Sequence, residues 1–134
     1  MAESIKVLIA EDEQALQMAL SFELEQQGFN VAQAHDGQET IDMIRKNRPD
    51  ILLLDLIMPR KDGFEVLREI REDPELKELP VIALTNLADP ANEKKARAIG
   101  ISEFLVKSDL DMKDVIIHIR RLTGGEGSDE EQDM

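Results

Sequence analysis

Short apolar runs without alternating polar residues recur along this chain, and they constrain its fold more than any other feature. IKVLIA, ILLLD and VIAL are examples. A strand with this pattern is buried on both faces, as the strands of parallel sheets are. The runs predict five such strands, at residues 5–10, 31–34, 51–54, 81–84 and 103–106.

The segments between the runs carry apolar residues at helical spacing, so each predicted strand is followed by a predicted helix. In the first helix three leucines form one row, and we expect Ala15, Ala19 and Phe22 to widen this inward-facing stripe. The fourth helix should begin after Asp89 as its N-cap, with Pro90 at the first helical position. Five β-α repeats predict a five-stranded, doubly wound parallel sheet with helices on both faces, a (βα)5 fold of the α/β class. The helices are expected at about residues 13–27, 38–46, 63–72, 90–100 and 110–122.

Composition excludes several classes of protein. Without cysteine there is no disulfide and no thiol nucleophile, and with four Phe, no Trp and no Tyr a base-stacking surface is not expected. A net charge of −13 repels nucleic acid. No apolar run approaches the roughly 20 residues of a membrane span, and the start of the chain does not resemble a signal peptide. We therefore expect a cytoplasmic protein that binds neither nucleic acid nor membranes.

The domain is expected to span residues 1–122, followed by an acidic flexible tail over residues 123–134. The last twelve residues hold five acidic side chains and no basic one, among three Gly and a Ser. A segment of this composition has too few apolar groups to pack, so we expect it to be dispensable for folding.

Reactive polar side chains stand where four of the predicted strands end. Glu11 and Asp12 follow the first strand, Asp55 ends the third, Thr85 follows the fourth and Lys107 follows the fifth. The carboxyl ends of parallel strands meet at one edge of the sheet, so these side chains should lie close together. Carboxylates without His or Cys suit Mg²⁺, and an Asp can act as a nucleophile toward phosphorus while metal, ammonium and hydroxyl stabilise the transferred group.

Each of these residues also has an ordinary structural explanation when it is taken singly. The acids after the first strand could merely complement the positive end of a helix. Asp55 could cap a turn, Thr85 could be a helix cap and Lys107 could be an exposed lysine. Four matching strand ends in one fold carry more weight than any one of them, because the fold itself brings them together.

The whole set resembles the receiver domain of response regulators, the CheY-like phosphoacceptor module of two-component signalling. The motifs that carry the resemblance are the acidic pair in VLIAEDE, the stretch LLLDLIMPRKDGFEVL, the Thr in VIALTN, and FLVK. Thr85 lies thirty residues after Asp55 and Lys107 fifty-two after it, and a Pro and a Gly follow Asp55 at four and eight residues. The resemblance covers about residues 4–122 and implies a flavodoxin-like, CheY-like fold.

The resemblance implies a role for each residue of the site. Asp55 would be the phosphoacceptor and would also bind Mg²⁺. Asp12 would be a direct Mg²⁺ ligand, Glu11 a ligand through water, and Ile57 a ligand through its backbone carbonyl. Lys107 would pair with the phosphoryl oxygens.

The resemblance also implies a switch and a partner-binding face. Thr85 would hydrogen-bond the phosphoryl group and move toward it, and Phe104 would be the aromatic switch residue that turns inward as Thr85 moves. The face that binds partners should be formed by the fourth helix, the fifth strand and the fifth helix. Lys94, Lys95, Arg97 and Phe104 should lie on or near this face, although a solvated helix surface is the simpler explanation of the three basic residues.

Three positions depart from the family pattern. Glu11 stands where Asp is commoner. Ser108 replaces the usual Pro after Lys107, so that peptide bond should be trans, or else strained, because a cis bond before a residue other than Pro costs about 2.5–4 kcal/mol. Ile57 and Leu87 are apolar at the two positions that flank the path of the attacking water, which predicts slow self-dephosphorylation.

Three functions follow from these observations. The first is a stand-alone, single-domain response regulator that takes a phosphoryl group from a histidine kinase or phosphotransfer protein. It would pass the signal to a protein target that the sequence does not identify, and it would catalyse only its own phosphorylation and dephosphorylation. We expect it to be a monomer that dimerises at most transiently. The second is a metal-dependent phosphohydrolase that resembles the haloacid dehalogenases, but these need a second Asp where this chain has Ile57. The third is a receiver-like module that binds partners without phosphorylation, whose usual mark is loss of the acceptor or of the acidic pair.

Overall fold

The computed structural model describes residues 4–58, 60–86 and 90–124 of the 134-residue chain. Its five parallel strands form one sheet in the order β2-β1-β3-β4-β5, so the predicted doubly wound (βα)5 fold is confirmed. The strands are β1 (Lys6–Ala10), β2 (Asn30–Ala34), β3 (Ile51–Asp55), β4 (Val81–Thr85) and β5 (Glu103–Val106). The helices are α1 (Gln14–Gln26), α2 (Gly37–Lys46), α3 (Gly63–Glu72), α4 (Pro90–Ile99) and α5 (Met112–Leu122), and a 3-10 turn at Lys107–Asp109 follows β5.

The central strands contribute to two hydrophobic cores, one on each face of the sheet. On β3, Leu52 and Leu54 belong to the core under α2, α3 and α4, whereas Ile51 and Leu53 belong to the core under α1 and α5. Because both faces of β3 are covered, all five of its residues are buried. This double burial is the physical reason for the unbroken apolar runs in the sequence.

Helices α2 and α3 both begin at the carboxyl edge of the sheet with side-chain caps. The carboxylate of Asp36 accepts the N–H of Glu39 at the start of α2. A reciprocal capping box joins Asp62 and Glu65 at the start of α3. These bonds satisfy main-chain N–H groups that have no partner within the helix, and they fix the loops beside the strand ends. The N-cap predicted at Asp89 lies outside the described residues.

The prediction that Ala15, Ala19 and Phe22 widen the buried stripe of α1 is wrong. Ala15, Ala19 and Phe22 are exposed, and the Phe22 side chain is 60% accessible. Gln17 and Ser21 are buried instead, on the other side of the leucine row. A row of leucines has two flanks, and helical spacing alone does not decide which of them turns toward the sheet.

Gln17 is buried because its side chain forms hydrogen bonds to main-chain carbonyl groups at the ends of two strands. Its amide nitrogen lies 3.0–3.2 Å from the carbonyl oxygens of Ile9, Glu11 and Ala34. Burial of an amide without such bonds would cost free energy, but here it ties α1 to the carboxyl ends of β1 and β2. The bond to Glu11 also restrains the segment that carries the acidic pair.

The loop between β3 and α3 packs directly on the start of α2. A Cβ added at Gly37 would lie 1.6 Å from the carbonyl oxygen of Lys61, so only glycine fits this approach. The next contact is an ion pair, in which Arg60 Nε donates to Asp36 at 3.2 Å. Arg60 itself has a φ of 70°, a region that residues other than glycine rarely adopt. These contacts hold the loop that follows Asp55.

Helix α4 is attached to the rest of the domain by few contacts. Ala96 is its one buried residue among those described. The ammonium of Lys95 lies 4.2 Å from the centre of the Phe64 ring on α3. At the carboxyl end, Arg71 Nε donates to the carbonyl oxygen of Gly100 at 2.8 Å, and the same guanidinium bonds two carbonyl oxygens of the segment before β4. The helix is thus held most firmly at its last turn.

No helix in the described part of the chain has both the length and the apolar character that crossing a membrane requires.

Candidate functional site at the carboxyl edge of the sheet

The strand ends bring the predicted site residues together. Asp55 and Thr85 are the last residues of β3 and β4, Glu11 and Asp12 directly follow β1, and Lys107 directly follows β5. Asp55 pairs in register with Leu84, so Thr85 is one residue beyond the position opposite Asp55. The topology alone therefore assembles carboxylates, a hydroxyl and an ammonium at one edge.

Lys107 is the centre of the contacts in this cluster. Its ammonium lies 2.9 Å from Glu11 Oε2, 3.0 Å from Asp55 Oδ2 and 3.1 Å from Glu13 Oε1. Burial alone would lower the pKa of Lys107, but its hydrogen bonds to Glu11 and Asp55 outweigh burial and raise that pKa above its ordinary value. The lysine is therefore charged at any pH at which the protein would work.

The Lys107–Ser108 peptide bond is trans, which decides between the two alternatives that the sequence left open. Lys107 begins the 3-10 turn Lys107–Asp109, and its side chain still reaches Asp55 from there. The serine in place of proline therefore does not turn the lysine away from the site.

Asp55 is almost fully buried, with 2% of its surface accessible. Burial is the largest influence on its pKa and, with the negative charge of Glu11, raises the pKa to about 7, although the N–H of Ile57 and the ammonium of Lys107 act in the opposite direction. The Ile57 N–H donates to Asp55 Oδ1 at 3.0 Å. A cation beside this carboxyl group would favour its ionised form.

The acids fit a hard divalent cation. Glu11, Asp12 and Asp55 each offer a carboxylate oxygen, and these oxygens lie within 4.8 Å of one another. Glu11 is fully buried; its Oε2 accepts from Lys107 and from the Glu13 N–H, but its Oε1 has no hydrogen-bond partner among the described residues. A buried carboxylate oxygen without a partner is costly, and an all-oxygen donor set is the one that Mg²⁺ prefers.

The two predicted switch residues lie on the same face of the sheet. Phe104 is half-buried, pairs in register with Ala83 and packs against the core under α2, α3 and α4. Thr85 is buried two residues beyond Ala83, and residues two apart on a strand face the same side. Both side chains are thus directed toward the α4 side of the sheet.

Two of the three basic residues predicted for the partner face have partners within the domain. Lys94, Lys95 and Arg97 are all exposed on α4. Arg97 Nε donates to Glu93 at 2.9 Å, and Lys95 lies over the Phe64 ring. The basic cluster therefore offers a weaker positive surface than the sequence indicated.

The flanking apolar positions are only partly described. The side chain of Ile57 is 60% exposed beside Asp55. Leu87 lies outside the described residues.

Sequence reasoning missed Glu13 and Gln17. Glu13 stands at the predicted start of the first helix, yet its side chain contacts Lys107 and makes no cap on α1. Glutamate is not among the preferred N-cap residues, and that could have marked the position as unusual. Nothing in the local pattern distinguishes Gln17 from the exposed glutamines of the same helix.

Comparison with known proteins agrees with this geometry. Residues 7–120 match the family model of the response regulator receiver domain. Response regulator MprA of Mycobacterium bovis (strain BCG / Pasteur 1173P2) is 39% identical over 105 residues, which are 78% of this chain and 44% of MprA. The chain thus spans less than half the length of that relative.

Solved structures of receiver domains have the same fold. Chemotaxis protein CheY4 of Vibrio cholerae superposes with a TM-score of 0.83 at 28% identity, over 90% of this chain and 99% of that chain. The receiver domain of sensor histidine kinase PA1611 from Pseudomonas aeruginosa PAO1, with a magnesium ion coordinated in its active site cleft, superposes with a TM-score of 0.84 at 25% identity, over 92% and 100% of the two chains. The flavodoxin-like, CheY-like fold and the match over residues 7–120 show that this chain belongs to the response regulator receiver domain family of two-component signalling.

Proposed function

We propose that this domain is a phosphorylation-controlled switch, in which Asp55 accepts a phosphoryl group in the presence of Mg²⁺. The donor would be a histidine kinase or a phosphotransfer protein of the cytoplasm, and the recipient of the signal another protein. The observation that carries the proposal is the position of Asp55: a buried carboxylate 3.0 Å from the ammonium of Lys107 and within 4.8 Å of the acids that could share a cation with it.

The side chains of the site divide the chemistry of phosphoryl transfer among them. An oxygen of Asp55 attacks the phosphorus, and a new O–P bond forms as the bond between phosphorus and the donor's imidazole nitrogen breaks, with the electron pair left on the donor. Lys107 is placed to receive a phosphoryl oxygen, and the hydroxyl of Thr85 stands at the neighbouring strand end. Glu11, Asp12 and Asp55, with the backbone carbonyl of Ile57, would hold Mg²⁺, which supplies positive charge against the phosphoryl oxygens.

The two other functions have less support. A phosphohydrolase of this type needs an acid/base residue two positions after the nucleophile, and there the chain has the apolar Ile57. A module that works without phosphorylation has no need of the acceptor, the acidic pair and the lysine, yet this chain retains all of them close together at one edge of the sheet. We therefore propose a domain that catalyses only its own phosphorylation and slow dephosphorylation.

The proposal is tested by incubation with acetyl phosphate, a small donor that needs no kinase. In Mg²⁺ the intact mass should rise by one phosphoryl group, and in EDTA it should not. A mass gain that is indifferent to EDTA would contradict the role of the cation, and no gain in Mg²⁺ would contradict the proposed function.

The phosphorylated state should be long-lived for a receiver domain. Ile57 and Leu87 supply no polar group to orient the attacking water, and Ile57 stands exposed beside the acceptor. Replacement by Ile57→Asn together with Leu87→Glu should speed the decay by about tenfold, which is less than the ~10²–10⁴-fold that a general acid or base contributes, because these groups would only orient the water. Decay is followed by mass after removal of the donor; an unchanged half-life would show that water access does not depend on these positions.

Phosphorylation should alter the face formed by α4, β5 and α5. Thr85 and Phe104 share the α4 side of the sheet, and α4 is the helix held by the fewest buried residues of those described. Amide chemical shifts recorded with and without beryllofluoride and Mg²⁺ should change, outside the site itself, mainly within residues 85–110. Changes concentrated on α1 and α2 would place the partner-binding face elsewhere.

A further inference from the structure

Lys107 has a third carboxylate partner that its expected role in phosphoryl transfer does not require. An ammonium has three N–H donors, and the ammonium of Lys107 has three carboxylate acceptors: Glu11, Asp55 and Glu13. Its hydrogen-bonding capacity is therefore used up within the domain. An arriving phosphoryl oxygen can be received only if one of the three acceptors is released.

The three acceptors differ sharply in exposure. The side chains of Glu11 and Asp55 are 0% and 3% accessible, whereas that of Glu13 is 54% accessible. Release of a buried carboxylate would leave an unpaired charge out of contact with water, which is strongly unfavourable. Release of Glu13 costs little, because its carboxylate passes into solvent and the contact is already screened.

The position of Glu13 at the start of α1 indicates that its side chain has no structural role in the helix. It is the N-cap residue of α1, yet its side chain makes no capping hydrogen bond, and Glu is a poor choice for that position. Its main-chain N–H donates to Glu11 Oε2 at 2.9 Å, which keeps Glu13 beside the site. The carboxylate is thus turned from the helix toward Lys107.

We propose that Glu13 is a positioning residue, which holds the third N–H of Lys107 until a phosphoryl oxygen takes its place. This inference rests on the proposed function of the site. It gives Glu13 two opposite effects: its negative charge favours a divalent cation at the neighbouring acids, but its contact with Lys107 competes with the phosphoryl group. Removal of the carboxylate should therefore weaken Mg²⁺ binding and improve the use of an anionic donor.

The experiment compares Glu13→Gln and Glu13→Ala with Glu23→Gln, which removes the same charge from an exposed position on the same helix. The Mg²⁺ dissociation constant is measured by calorimetry without any donor, and the KM for acetyl phosphate is measured at saturating Mg²⁺. Both Glu13 variants should raise the dissociation constant and lower the KM, each by about two- to fivefold, with the larger change in Glu13→Ala. Glu23→Gln should resemble the wild type in both.

Opposite movement of the two constants is a result that simple damage to the site would not give. If the wild type is phosphorylated normally but the KM of both Glu13 variants is unchanged or raised, the inference is wrong while the proposed function stands. A change in Mg²⁺ binding without a change in the KM would show that Glu13 does not compete with the donor for Lys107, and would likewise overturn the inference. If the wild type takes up no phosphoryl group, the proposed function fails and the inference fails with it.

Discussion

An Asp55→Asn protein should take up no phosphoryl group from acetyl phosphate, and its metal-free fold should be more stable than that of the wild type. The amide cannot serve as the nucleophile, so the expected loss of phosphorylation is complete. The gain in stability has a separate cause, because the ionised Asp55 carboxylate is buried beside Glu11 in the wild type. The neutral amide avoids this cost.

The comparison needs two measurements and one control. Intact mass after incubation with acetyl phosphate and Mg²⁺ gives the phosphorylation, and urea unfolding in EDTA followed by circular dichroism gives the stability, since the chain has no Trp. Asp42→Asn removes an exposed carboxylate from α2 and should leave both unchanged. A phosphoryl group gained by Asp55→Asn would show that another residue is the acceptor.

The stability difference should depend on pH in a defined direction. The pKa of Asp55 is raised to about 7 in the folded chain, against about 3.9 in an unfolded one. Below pH 4 both states are protonated and the wild type suffers no penalty. Between about pH 4 and 7 the unfolded state ionises first, so wild-type stability falls across this window and levels off above it. The advantage of Asp55→Asn should thus be absent near pH 4 and reach about 1–3 kcal/mol above pH 7.

Gly37→Ala should destabilise the domain by about 3 kcal/mol or more, the upper range for overpacking of a close contact. The added Cβ would lie 1.6 Å from the carbonyl oxygen of Lys61 and within 2.7 Å of two other atoms of that residue. A long flexible side chain could rotate away from such a clash, but a main-chain carbonyl cannot move unless the whole loop after Asp55 moves with it. Alanine has a higher helix propensity than glycine, so helix propensity cannot explain a loss of stability in Gly37→Ala.

The free energy of unfolding of Gly37→Ala is measured in urea, with Gln38→Ala as the control for an alanine substitution in the same turn. Gln38 is the exposed neighbour in the same turn of α2, and its replacement should change stability by less than about 0.5 kcal/mol. A Gly37→Ala protein as stable as the wild type would mean that the loop between β3 and α3 can shift freely.

The fold could be predicted from the sequence because burial on both faces leaves a pattern that no other arrangement of strands requires. β3 is the clearest case, since its four apolar residues alternate between two cores and none can be polar. The side of α1 that faces the sheet could not be predicted. Gln17 and Ser21 are buried because acceptors and donors on β1 and β2 lie opposite them, and those partners are distant in sequence.

The positions of the site residues could also be predicted, since strand ends in a parallel sheet meet whatever the loops do. The contacts between these side chains could not be predicted from the sequence. Glu13 and Lys107 are ninety-four residues apart, and Lys95 meets the Phe64 ring across two helices. Such pairs depend on side-chain direction and on the distances between elements, which short-range spacing does not contain.

The hydrogen bond from Arg71 to the carbonyl oxygen of Gly100 restrains the carboxyl end of α4, so the helix can pivot about that end while its amino end moves. A ten-residue helix is about 15 Å long. With its last turn pinned, a shift of about 1 Å at Pro90 tilts the axis by about 4°, and the displacement shrinks steadily toward Ile99. Lys94, in the middle of the helix, would then move about half as far as Pro90 but farther than Arg97, so a partner bound to α4 would respond mainly to the displacement of its first half.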